Sequence, residues 1–270
     1  SVPISYLNEA RLKSLKRGGI FVRTTKTELD LPMPKIIEEH IPMGPIQTEI
    51  YKTLKQRFVK SRGGTVRDTA FFNQKGKAVM SLLSAATNPG LLLTKSNVDS
   101  YLGFRWPPRE LKESKTLMNL VEEYAAHEIS PKYQWVLRFV AHAHLNKNKV
   151  LIWSTFVGNI IALEKILKNY RPAVIYGATS TDERKNELKR FQNTDECNVL
   201  ITNPQTLGEG ISLHEECHTA IYIDRNYNAG QYLQSLDRIH RLGLTKDTET
   251  NIYILKSIGS IDSSVSSRLN

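Results

Sequence analysis

Residues 234–243 read QSLDRIHRLG, with Arg238 and Arg241 three apart. On a helix that spacing places both guanidinium groups on one face. Each is permanently charged and offers planar, forked donors to pairs of oxygens, so two aimed together suit a polyphosphate. Pairing with surface carboxylates uses the same spacing, and spacing alone leaves both readings open. Upstream, Asp224 closes an apolar run, and 206–213 read TLGEGISL. There Gly208 and Gly210 would let backbone N–H groups approach a phosphate closely. A third cluster, HEECH at 214–218, matches H-E-x-x-H and would make His214 and His218 zinc ligands of a hydrolase. That chemistry needs both histidines on one face of a long helix. The segment is instead bracketed by the glycine turn and an apolar run beginning at Thr219, so no metal site is expected.

Such side chains need a scaffold. The runs 149–154 (KVLIWS), 173–176 (AVIY), 198–202 (NVLIT), 219–224 (TAIYID) and 251–256 (NIYILK) are short and apolar. They suit strands buried on both faces. Between them, 159–169, 181–192 and 231–241 have apolar residues at helical spacing, and Ser180 with Glu183 predicts a capping box opening the second of these helices. Strand and helix alternating in units of about 25 residues predict an α/β fold with a mainly parallel sheet. In such sheets chemistry collects beyond the carboxyl ends of the strands, here the loops after Ser154, Tyr176, Thr202 and Asp224. The first half differs: a proline-stiffened linker at 31–35, a strand at 36–42, and helices at 45–60, 75–87 and 109–127. A helix at 133–145 then leads into the parallel series.

Taken in order, these segments resemble the C-terminal helicase lobe of the Swi/Snf family of ATP-dependent DNA translocases. KVLIWSTF is similar to the family's vLIFsqF motif, and IYGATSTDERKNELKRF to ldG-x-ts-x-eeR…F. TLGEGISL stands where the family has GG-x-G-x-NL, and YIDRNYNAGQYLQSLDRIHRLG resembles y-D-x-x-WNP…QA-x-DR-x-HR-x-G. Upstream, RTTKTELDLPMPK resembles the family's linker and ATNPGLL its NHP-x-L helix end; downstream, SIGSIDSSV resembles the start of its brace helix. The resemblance covers about residues 20–265. It departs at Tyr227 (Trp in the family), Ala229 (Pro), Leu207 (Gly), Ser212 (Asn) and Leu244 (Gln), the marks of a divergent branch, prokaryotic or viral.

The resemblance implies a RecA-like lobe at 130–257, a helical insertion or protrusion at 45–129, a linker and first strand at 1–44, and the start of a brace segment at 258–270. It implies that Arg238 and Arg241 act as arginine fingers, and that Gly208, Gly210, Asp224 and Gln234 serve the nucleotide. Ser154, Thr155, Phe156, Gly177, Thr179, Ser180 and Thr206 would meet the DNA backbone, as would Lys55, Lys60 and Arg62 of the protrusion. The implied partners are double-stranded DNA and an N-terminal ATPase lobe of the same polypeptide. ATP and Mg²⁺ would be held mainly by that lobe, because no G-x-x-x-x-G-K-[ST] occurs here. The chain reads as half of a motor, a piece of a longer protein that does not hydrolyse ATP alone. A nucleic-acid-binding module with no ATPase role is the rival reading.

Composition agrees with a polyanion as partner. The 270 residues hold 37 Lys and Arg against 27 Asp and Glu, a net charge of +10. The excess is concentrated at 50–79, where eight basic side chains face only Asp68. That run can track a phosphate backbone or simply be a solvated face. Apolar residues make up 40% of the chain, enough for a core. No stretch reaches the ~18 apolar residues of a membrane span. Two cysteines, Cys197 and Cys217, make no disulfide framework and favour a reducing compartment. Cytoplasm is expected in a prokaryotic or viral setting, the nucleus in a eukaryotic one.

Overall fold

A computed structural model describes residues 32–60, 69–92, 115–207, 211–241, 244 and 248–269. Six strands form one sheet: β1 (Lys35–Ile41), β2 (Val150–Trp153), β3 (Ala173–Ile175), β4 (Val199–Thr202), β5 (Thr219–Tyr222) and β6 (Asn251–Ser257). Their order across the sheet is β1-β6-β5-β2-β4-β3, and every pairing is parallel. The expected mainly parallel sheet is thus wholly parallel. The registers place Leu151 beside Leu200 and Ala220, and Lys35 beside Asn251.

Among the described residues, eight α-helices accompany it: α1 (Pro45–Lys60), α2 (Thr69–Thr87), α3 (Lys115–His127), α4 (Pro131–Leu145), α5 (Val157–Ile166), α6 (Thr181–Asn193), α7 (Ala229–Leu236) and α8 (Asp262–Leu269). Alternation along each strand sends side chains to two cores. Val150, Ile152, Val199, Ile201 and Ile221 meet Val136 and Val140 of α4 and Ile160 and Leu163 of α5. Leu151, Trp153, Leu200, Ala220 and Tyr222 meet Phe191 of α6 and Tyr232 of α7 on the other face. Continuous burial of VLIW and VLIT follows from both faces being covered.

Helices α1, α2 and α3 build a third core from Ile50, Tyr51, Leu54, Leu82, Leu117, Val121 and Tyr124. A smaller seam of Leu83 (α2), Phe156 and Val265 (α8) joins that layer to the sheet's end. Hydrogen bonds reinforce the seam: Gln47 Nε2 donates to the carbonyls of Ala85 and Ala86, Ser130 Oγ to that of Thr87, and Ser257 Oγ to that of Ala86. The last turn of α2, whose carbonyls have no partner within the helix, is thereby satisfied from three other elements.

Local chemistry sets the helix starts. Ser180 and Glu183 form the expected capping box at α6, the serine hydroxyl accepting from the Glu183 amide and the carboxylate from the Ser180 amide. Asn228 caps α7 by accepting from Gln231 N at 3.1 Å. At α1 the cap comes from outside: Glu128 accepts from Ile46 N at 3.0 Å and Gln47 N at 3.3 Å. Only glycine leaves room for it, since a Cβ on Gly44 would lie 2.1 Å from Glu128 Oε1.

Candidate functional site at the carboxyl ends of the strands

Asp224 lies just beyond β5, and its carboxylate is turned inward. Oδ2 accepts from Ser154 Oγ at 2.5 Å and Asn159 Nδ2 at 2.8 Å, and Oδ1 accepts from Thr155 N at 2.6 Å. The residue is buried, at 3% exposure. Burial pushes its pKa up from 3.8, while the Ser154 hydroxyl, the Thr155 amide, the nearby Lys132 ammonium and the Asn159 amide pull it down. Expected beside the cofactor, Asp224 joins the end of β5 to the turn after β2.

That turn holds three of the residues expected on DNA. Ser154 is fully buried with its hydroxyl on Asp224, and the Phe156 ring is enclosed by Leu83 and Val265. Thr155 is half-buried and lines an open concavity with Asn203, Asp224, Arg225, Gln231 and Tyr232. Arg225, also buried, donates to Ser266 Oγ of α8 and stacks on Tyr232, its Cζ 5.1 Å from the ring centroid.

The neighbouring loops hold the rest. Gly177 is exposed, and Thr179 tightens its own turn by accepting from Tyr176 N at 3.0 Å. Ser180 is committed to the α6 cap, and Thr206 N donates to Asn203 Oδ1 at 2.9 Å. Lys55 is exposed on α1; Lys60 ends that helix. Arg62, Gly208 and Gly210 lie outside the described residues, as does the side chain of Lys60.

The spacing predicted a shared helix face for the two arginines, and the structure does not give them one. Helix α7 stops at Leu236, and 237–239 form a turn. A different geometry brings them together. Arg238 Nη1 donates to Ile211 O at 3.2 Å, its own carbonyl accepts from Leu213 N at 2.9 Å, and Arg241 Nη1 donates to Ser212 Oγ at 2.6 Å. Both guanidinium groups thus fasten on 211–213, the end of the TLGEGISL segment. Arg238 is half-buried, Arg241 is exposed, and Gln234 is exposed one turn earlier on α7. Between the arginines, buried His240 donates from Nε2 to Pro32 O at 2.6 Å and so ties the turn to the linker before β1.

HEECH forms a turn rather than a helix. The amides of Glu216 and Cys217 both donate to Leu213 O, and β5 begins at Thr219. Burial pushes the Cys217 thiol up to about 12, away from the thiolate a metal needs. Among the described residues, no three His, Cys, Asp or Glu side chains are grouped as a metal site.

Sequence reasoning passed over Lys132, Tyr133 and Asn159. Lys132 is buried, and its Nζ donates to Asp262 Oδ2 at 2.8 Å, Ile223 O at 2.8 Å and Thr87 Oγ1 at 3.4 Å. One signal was available. A lysine in the first turn of a helix opposes the macrodipole, and Lys132 follows Pro131 at the start of α4, so a dedicated partner was required.

The helicase conserved C-terminal domain family matches residues 131–243. Over 247 residues the chain is 26% identical to the ATP-dependent DNA helicase DDM1 of Arabidopsis thaliana, covering 89% of this chain and 30% of that protein. The crystal structure of the C-terminal part of the Fun30 ATPase domain superposes with a TM-score of 0.63 at 19% identity, covering 89% of this chain and 90% of that one. The Sulfolobus solfataricus SWI2/SNF2 ATPase core in complex with dsDNA gives 0.62 at 19% identity, over 98% of this chain and 51% of that one. The fold is the RecA-like α/β fold of those lobes. Residues 131–243 thus match the helicase conserved C-terminal domain, and in fold and motif order the chain is similar to C-terminal lobes of the Swi/Snf type.

Proposed function

We propose that the chain is the second motor lobe of an ATP-dependent double-stranded DNA translocase or remodeller, working with a separate P-loop lobe. The observation that supports this is the fastening of Arg238 and Arg241 to 211–213. A motor needs nucleotide-facing cations linked mechanically to a segment that touches the track, and this turn joins the two. In this reading the arginines stabilise the charge that develops on the γ-phosphate oxygens as the bond to the β-phosphate breaks. Gln234 helps place them, and Gly208 and Gly210 relay nucleotide state to the grip on DNA. Asp224 serves the site indirectly, by holding the Ser154–Thr155 turn.

DNA contact falls to Thr155, Gly177, Thr179 and Thr206 with the amides around them, to the backbone of Ser154, Phe156 and Ser180, to Lys55 and Lys60 of α1, and to Arg62, which follows them in sequence. Such contacts read the phosphate backbone and little sequence, as suits a motor that steps over any sequence. In this reading Mg²⁺ is held by the P-loop lobe, and no step is assigned to it here.

The test uses a polypeptide that joins this chain to a P-loop lobe. Arg238→Ala or Arg241→Ala lowers kcat for DNA-stimulated ATP hydrolysis by ~10³-fold or more, the range for an arginine finger, with dsDNA affinity largely kept. An equal loss of DNA affinity would place these arginines on the phosphate backbone and favour a binding module. The chain alone hydrolyses no ATP; turnover by the pure chain would overturn the half-motor reading.

A further inference from the structure

The end of α2 and the end of β5 are joined by two buried polar chains running side by side. Asn88 Nδ2 donates to the Tyr133 hydroxyl at 3.0 Å, that hydroxyl donates to Asn159 Oδ1 at 2.5 Å, and Asn159 Nδ2 donates to Asp224 Oδ2 at 2.8 Å. Asp224 in turn receives the Ser154 hydroxyl and the Thr155 amide. The second chain runs through the adjacent Lys132, which reaches Thr87 Oγ1, Ile223 O and Asp262 Oδ2 at once. Asp262 also accepts from Ser257 N at 2.8 Å, which brings in the end of β6.

The first chain has a direction. Gly90 N donates to Asn88 Oδ1 at 3.0 Å, which fixes the amide so that its NH₂ faces Tyr133. The tyrosine has a single proton to give and gives it to Asn159. Every donor therefore points toward Asp224, and the carboxylate polarises each bond in line. Packing alone does not call for this arrangement. The Tyr133 ring would fill its place in the α4 core as well without a hydroxyl, and a buried hydroxyl is a cost unless bonded. Nor does the chain stay within one layer: its four side chains come from the end of α2, from α4, from α5 and from the end of β5. Phe156, in the turn that Asp224 holds, packs on Leu83 of α2 and closes the loop.

We propose that Asn88, Tyr133 and Asn159 are positioning residues through which the placement of α2 sets the placement of the 154–156 turn. A cut anywhere along the chain leaves Asn159, the chain's donor to Asp224, less firmly held and less polarised, and lets the Thr155 amide loosen. Load on α2 is then felt at the β2 turn without any change in the sheet. The further step to DNA grip rests on the assignment of Thr155 to the DNA backbone made above; the relay itself does not.

The experiment reads the two parts separately. In the 270-residue chain, amide exchange and the ¹H–¹⁵N resonance of Thr155 are followed in Asn88→Ala, Tyr133→Phe and the double variant. Tyr133→Phe keeps the ring and serves if Asn88→Ala folds poorly. Each single change speeds Thr155 exchange by roughly three- to tenfold, the weight of one net hydrogen bond, and shifts its resonance. Amides within α6 stay as they were. The double variant goes no further than Tyr133→Phe, because a chain is cut only once. An unmoved Thr155, or effects that add, would overturn the relay. Affinity for a duplex oligonucleotide, measured on the same variants, falls with the loosening of Thr155. If Thr155 loosens while affinity holds, the relay stands and the DNA assignment of Thr155 falls.

Discussion

The turn at Asp224 and the turn at Arg238 and Arg241 lie within eighteen residues of one another in sequence, and they are built on opposite principles. Around Asp224 a buried charge is surrounded by three donors and a neighbouring lysine, all inside the protein. Around the arginines, a half-buried and an exposed guanidinium each donate a single bond to the 211–213 segment. Saturation makes the first a joint. The second, among the described residues, leaves donors unspent, as the proposed nucleotide role requires. Residue type alone would have assigned both turns to ligand binding; counting hydrogen bonds separates them.

The difference can be broken by experiment. The largest effect is expected at the open turn: Arg241→Ala in the two-lobed enzyme costs ~10³-fold in kcat, about 4 kcal/mol of transition-state stabilisation. Its urea unfolding free energy moves by no more than about 0.5 kcal/mol. Arg241→Lys recovers little of the rate, since an ammonium lacks the forked geometry. A large loss of stability would merge the two turns into one class.

At the closed turn the balance reverses. Asp224→Ala orphans the Ser154, Thr155 and Asn159 donors, and urea denaturation should show a loss of about 3 kcal/mol, the low end for three unsatisfied groups. A smaller effect follows from pH. Folding raises the pKa of Asp224 from 3.8, so between that value and the folded pKa the native state binds more protons than the unfolded one. Stability contributed by this group is therefore greatest at low pH and falls as pH rises through the window. Asp224→Asn does not titrate, so the stability difference between native and variant chains changes in favour of the variant as pH rises from about 4. An unchanging difference would mean that the bonding donors balance burial, and a change in the opposite sense that they outweigh it. The smallest change lies away from both turns: Gly44→Ala pushes Glu128 off the start of α1 and costs about 1 kcal/mol, read as a lower melting temperature with kcat unaltered.

Much of this architecture was legible in the residues. The apolar runs became the strands because both faces of the sheet are covered, and Ser180 with Glu183 capped α6 as their spacing required. Sheet order was not legible: β1 lies at the edge because it pairs with β6, a contact with no local signature. The helix expected at 231–241 ended early because Ile239, buried in the sheet core, and His240, bonded to Pro32, need a turn to reach their partners. For the site, residue type singled out Arg238 and Arg241, but their shared anchor on 211–213 has no signature in the sequence. The role of Asp224 was hidden because its partners, Ser154 and Asn159, are polar residues unremarkable in a sequence and meaningful only once the sheet brings three elements together.

The pairing of β1 with β6 also constrains how the protein comes into being. Lys35 through Ile41 are among the first residues made of those described, and their template, Asn251 through Ser257, is among the last. β2 and β3 wait only for β4, which pairs with both, and β5 then adds to β2, whereas β1 must wait, its N–H and C=O groups unmatched, until β6 has been made. A contact of that sequence separation carries a high loop-closure cost and forms late. During the wait, its apolar Ile36, Ile37 and Ile41 are an aggregation hazard, and Glu38, Glu39 and Lys35 on the same strand act as gatekeepers against it. Synthesis therefore assembles this sheet from its middle, and the strand that reads first closes it.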